Sequence, residues 1–129
     1  MQTNSNISKY EKIYLVLICL LLGLSQQVYA DAKKKIPDDK YWERTNDRDN
    51  AGPVLYQDDS SVYVYSEKQL DNLTIGITDM MGNVYHYEVT TVPACTYYAV
   101  SIESLPAGQY YLSVYQGNNY VIGLFNISN

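Results

Sequence analysis

Residues 72–90, NLTIGITDMMGNVYHYEVT, set out the architecture in miniature. Leu73, Ile75 and Ile77 alternate with Thr74, Gly76 and Thr78, a period of two that only an extended strand with one buried face explains. Asp79–Met80–Met81–Gly82–Asn83 follows as a turn rich in residues that tolerate tight backbone. The chain then returns over 84–90 with β-branched and aromatic side chains, so the stretch predicts an antiparallel hairpin.

The same grammar extends on both sides. A short apolar run, 54–57, precedes the turn 57–60, and 61–66 (SVYVYS) alternates strictly. Beyond Pro93, 97–103 sets Tyr98, Val100 and Ile102 against Tyr97, Ala99 and Ser101. A corner at 105–108 leads to 109–115, with Tyr110, Leu112 and Val114 on one face, and the turn 116–119 leads to 120–128. Seven short strands at this spacing, with no helical period after Pro53, predict an all-β chain. The expected architecture is one small antiparallel immunoglobulin-like β-sandwich of about seven strands over residues 53–129. Tyr110, just past the 105–108 corner, sits where a tyrosine corner returns its hydroxyl to upstream backbone.

The regions before Pro53 read differently. Lys9 and Lys12 precede an apolar run over 13–24 (IYLVLICLLLGL), and Val28–Tyr29–Ala30 resembles a cleavage site. Twelve helical residues reach about 18 Å, short of a bilayer core of about 30 Å. Residues 1–30 therefore read as a cleaved export signal peptide, placing the remainder in the periplasm or outside the cell, with no membrane insertion after cleavage. Cys19 follows Ile18 rather than a small residue, which argues against lipidation. Residues 31–52 (DAKKKIPDDKYWERTNDRDNAG) mix six basic and six acidic side chains with little apolar signal, and predict a charged, flexible arm. Within it Tyr41–Trp42 is the one apolar pair, either a latch onto the domain or a solvent-exposed feature.

Charge and chemistry narrow the functions. The chain carries a net −5, and past Pro53 only Lys68 is basic against seven acids. Such a surface repels phosphate backbones and argues against nucleic acid. His86 is the only histidine and reads as a solvent-facing strand residue. Without a second His or a Cys pair it predicts no zinc site, and no nucleophile–base pair is visible. Asp47, Asp49, Gly52 and Asp58 echo an EF-hand loop. Ala51 stands where an oxygen ligand belongs and Asp58 where Glu does, so no metal is predicted. No cofactor and no catalytic activity are expected. Cys95, alone after signal removal, is either a buried thiol or the seat of a disulfide-linked dimer.

The surplus is tyrosine, 15 residues against one Phe and one Trp. If Val62 and Val64 face inward, Tyr63 and Tyr65 face out. The same parity turns Tyr97, Tyr111 and Tyr115 outward, with Tyr63, Tyr65 and Tyr97 on one sheet and Tyr111 and Tyr115 on the other. Exposed aromatic platforms stack on sugar faces and anchor protein interfaces. The reading is an exported, non-catalytic binding or adhesion module with a glycan or protein partner. The alternatives are an assembly subunit pairing through an edge strand or Cys95, and an acidic, inhibitor-like partner of another exported protein.

Several of these motifs also carry a resemblance. Pro53–Val54–Leu55, Asn72–Leu73–Thr74–Ile75, Asp79–Met80–Met81–Gly82–Asn83–Val84–Tyr85, Gly108–Gln109–Tyr110–Tyr111–Leu112–Ser113–Val114 and Gly123–Leu124–Phe125–Asn126–Ile127 resemble the secreted bacterial domain-of-unknown-function family 3244. The resemblance implies a small exported protein with an immunoglobulin-like sandwich and assigns no activity.

Overall fold

The computed structural model describes residues 32–43 and 52–128. The predicted signal peptide, residues 1–30, lies outside them. The seven predicted strands are present as β3 (Val54–Gln57), β4 (Ser61–Ser66), β5 (Leu70–Asp79), β6 (Val84–Val92), β7 (Thr96–Ser101), β8 (Gly108–Gln116) and β9 (Asn119–Ile127). Two more precede them, β1 (Lys34–Lys35) and β2 (Asp38–Tyr41).

All pairings are antiparallel. One sheet runs β1-β3-β4-β7 and the other β2-β9-β8-β5-β6. Their facing sides interdigitate as the alternation dictates. Leu55, Val62 and Val64 come from the first sheet; Leu73, Ile75, Ile77, Leu112, Val114 and Val121 come from the second, all fully buried. Burial of this kind, at about 25 cal/mol per Å² of apolar surface, is what holds a domain that has no internal disulfide.

The expectation of a flexible arm over 31–52 is corrected for its described part. Ile36 is 2% exposed and belongs to the core. Its N–H donates to the Leu55 carbonyl at 2.8 Å, and the Leu124 N–H donates to the Pro37 carbonyl at 3.3 Å. The first segment thus crosses between sheets at Ile36–Pro37, pairing Lys35 with Tyr56 before the crossing and Asp38 with Gly123 after it. One buried isoleucine and backbone pairing on two edges outweigh a composition that is otherwise polar. The latch reading of Tyr41–Trp42 holds: Trp42 packs against the core, and Tyr41 stacks on Tyr120 at 6.1 Å. Gly52, at φ +77°, passes so close that a Cβ there would lie 2.5 Å from Trp42 Cγ. Residues 44–51 lie outside the described region.

Tyr110 makes the expected corner. It is 3% exposed, its hydroxyl donates to the Pro106 carbonyl at 2.5 Å, and its ring stacks on Phe125 at 5.6 Å. Tyr110→Phe is expected to cost about 0.5–1.5 kcal/mol, the net value of one such bond. The check is a urea melt at neutral pH, in which an unmoved midpoint would show that the bond contributes nothing.

A tyrosine surface on the four-stranded sheet

The outward side of the four-stranded sheet follows from strand parity and register together. Val62 and Val64 point into the core, so Tyr63 and Tyr65 point away. Register then sets Tyr56 beside Tyr63 on β3 and Tyr97 beside Tyr65 on β7. Tyr97 is the hub. Its ring lies 4.6 Å from Tyr65, 5.5 Å from Tyr56 and 6.3 Å from Tyr63, the last two edge-to-face. These separations are the range in which aromatic pairs attract beyond their area burial. Even so, 46% of Tyr97 remains exposed.

Polar contacts hold the rim of this surface. The Tyr63 hydroxyl donates to Asp58 Oδ2 at 2.5 Å. Asp58 Oδ1 accepts from the N–H groups of Ser60 and Ser61 and from the Ser60 hydroxyl. Desolvation alone would raise the Asp58 carboxyl, but the bonds from Tyr63, Ser60 and Ser61 outweigh it and hold the group below the usual carboxylate range. Asp58 therefore holds the 58–61 turn and orients a tyrosine. Asp47 and Asp49 of that loop lie outside the described residues, and no three metal-ligating side chains group together among the described ones.

Cys95 borders the same surface. Of the two readings, the buried thiol is overturned: Cys95 is exposed and free, in a turn at φ +56°. Its N–H donates to the Ser66 carbonyl at 2.8 Å and its thiol to the Glu67 carbonyl at 3.6 Å. Burial first, then the neighbouring Cys95 thiol, pushes the Tyr65 phenol up.

The other two candidate tyrosines are not part of this cluster. Tyr111 and Tyr115 stand on β8, on the outward side of the five-stranded sheet. Tyr111 lines a shallow, open depression of about 350 Å³ with Pro37, Asp38, Asp39, Ile122 and Leu124. The two groups lie on opposite faces of the sandwich and cannot share one small ligand. Tyr56 is the member that sequence reasoning missed. Its signal was the parity of Leu55, but only the β3–β4 register places it beside Tyr63.

His86 is also corrected. It lies opposite Ile77 and Glu88 opposite Ile75, on the side of β6 that faces the core rather than solvent. Its Nε2 is 2.5 Å from Glu88 Oε2, and the Tyr98 hydroxyl donates to Glu88 Oε1. That bond to the Glu88 carboxylate is the leading cause that raises the Tyr98 phenol. The three half-buried polar groups satisfy one another across the gap between the two sheets, as burial of polar atoms requires.

Two antiparallel sheets packed face to face, closed by a tyrosine corner, define an immunoglobulin-like β-sandwich. The chain belongs to the family described as domain of unknown function (DUF3244), whose model matches residues 35–127. It is similar to a crystal structure of a DUF3244 family protein with an immunoglobulin-like β-sandwich fold from Bacteroides vulgatus ATCC 8482. The two share 24% identity with a TM-score of 0.59, over 74% of this chain and 99% of that one. No curated protein matches.

Proposed function

We propose that this chain is an exported, non-catalytic binding module that takes up its ligand on the surface formed by Tyr56, Tyr63, Tyr65 and Tyr97. One observation carries the reading: Tyr97 is braced by three other rings and is still 46% exposed. A large apolar ring held rigid in water costs little further entropy to bind, which is why tyrosine is favoured at contact hot spots. Sugar faces and protein surfaces both suit such a platform. Export is supported by the basic Lys9 and Lys12 followed by the short apolar run 13–24.

The test immobilises the purified protein and passes over it extracellular and envelope extract from the producing organism. The wild type is expected to retain a polysaccharide or a single protein. Tyr97→Ser alone, and Tyr63→Ser with Tyr65→Ser and Tyr97→Ser, are expected to release it while the β-sheet circular dichroism signal stays intact. Equal retention by the folded variants would rule the tyrosine surface out.

A further inference from the structure

The most exposed apolar side chains are not evenly spread. Among the described residues, six of the ten large apolar side chains standing well into solvent lie within residues 80–89: Met80, Met81, Val84, Tyr85, Tyr87 and Val89. These form the β5–β6 hairpin, and Tyr87 is 69% exposed. β6 is also an edge. β5 pairs with one side of it, and no described strand pairs with the other. A nine-residue edge strand leaves a row of backbone donors and acceptors open to pairing.

We infer that β6 is the seam of a homodimer, in which a second copy pairs antiparallel along it with Tyr87 opposite the partner's Tyr87 and His86 opposite the partner's Glu88. The residues of β6 choose this partner and this register. Extending the sheet without flipping it brings side chains of like parity face to face. Centring the pair on Glu88 would oppose two carboxylates, and centring it on His86 would oppose two imidazoles. Like charges directly across a ladder repel, and the imidazole pair leaves Glu88 opposite the partner's Val84. Centring on Val89 leaves Glu88 facing the partner's Thr90 and forfeits the imidazole. Only the Tyr87 centre sets each copy's His86, already bonded to its own Glu88, beside the partner's Glu88 as well, so that imidazoles and carboxylates alternate on the core-facing side, with an aromatic pair on the outer side. β6 thus complements its own copy, as a two-fold interface requires. The seam lies on β6, apart from the tyrosine surface of the four-stranded sheet, so its failure would leave the binding reading intact.

The test uses the purified chain carrying Cys19→Ser and Cys95→Ser, so that no native thiol interferes. Sedimentation from micromolar to millimolar concentration is expected to show a monomer–dimer equilibrium. Tyr87→Lys, which opposes two ammonium groups at the seam, is expected to weaken it about fivefold or more, with an unchanged urea midpoint in dilute solution. Opposed Cα atoms about 4.5–5.5 Å apart suit a disulfide. Tyr87→Cys is therefore expected to form a covalent dimer under mild oxidation, and Val89→Cys is not. A monomer at every concentration, a dimer indifferent to Tyr87→Lys, or cross-linking through Val89→Cys but not Tyr87→Cys would overturn the inference.

Discussion

Replacing Ile36 by Ala is expected to cost about 2–5 kcal/mol, the range for deleting a large apolar side chain from a packed core. The residue stands in a segment whose neighbours are Lys34, Lys35, Asp38 and Asp39, where a flexible arm would tolerate the change without effect. The structure gives it a different position. Ile36 is 2% exposed, bonded through its backbone to Leu55, and placed where the chain passes from one sheet to the other. Truncation to Cβ leaves a cavity between β3 and β9 and loosens β1 and β2, which form one edge of each sheet. Urea denaturation should show the midpoint falling by roughly 0.7 M or more at an unchanged slope, given slopes of about 1–3 kcal/mol/M for small domains. A midpoint equal to the wild type would mean that the segment does not dock.

Gly123→Ala tests the same junction from the opposite side. A Cβ at this position would lie 2.7 Å from Ile36 Cγ2, 2.9 Å from Leu55 Cδ1 and 3.4 Å from the Pro37 carbonyl. Neither apolar neighbour has room to retreat, since Leu55 is fully buried and Ile36 nearly so. Forcing one extra methyl into such packing costs about 1–3 kcal/mol. The two substitutions should couple, because Ile36→Ala removes the methyl that Gly123→Ala would strike. In a double-mutant cycle the pair is expected to cost less than the sum of the singles, by about 0.5–3 kcal/mol. Additive costs would show that the clash is relieved elsewhere.

These two residues also mark where sequence reading and structure part. The seven strands from β3 to β9 were legible because alternation is a local property. In SVYVYS or LTIGIT each residue declares its face relative to its neighbours, and no partner strand needs to be known. β1 and β2 sent no such signal. Lysines on a short edge strand are how sheets discourage unwanted pairing, and they read as solvated charge. Ile36 alone carried the apolar information, and one residue has no period.

The tyrosines divide in the same way. Outward parity for Tyr63, Tyr65 and Tyr97, and their separation from Tyr111 and Tyr115, followed from alternation and an assumed strand order. The four-ring cluster did not. Tyr56 joins it through the β3–β4 register, which depends on residues far apart in the chain. His86, read from the sequence as solvent-facing, shows a register effect that no local pattern announces. A bulge at Tyr85, the extra β6 residue between the Ile77–His86 and Thr78–Val84 pairs, sets His86 and Glu88 on the face of Ile77 and Ile75, toward the gap where Tyr98 waits.

The amino-acid order alone therefore established an all-β chain, its strand-forming segments, its turns and the corner at Tyr110, all of which rest on contacts between near neighbours or on periodicity. Tertiary structure alone settled the docking of Ile36, the need for Gly123 and the company of Tyr97. Those depend on which strands lie side by side and in what register, and pairing between distant segments is selected by the packing of the whole core rather than written in any one stretch.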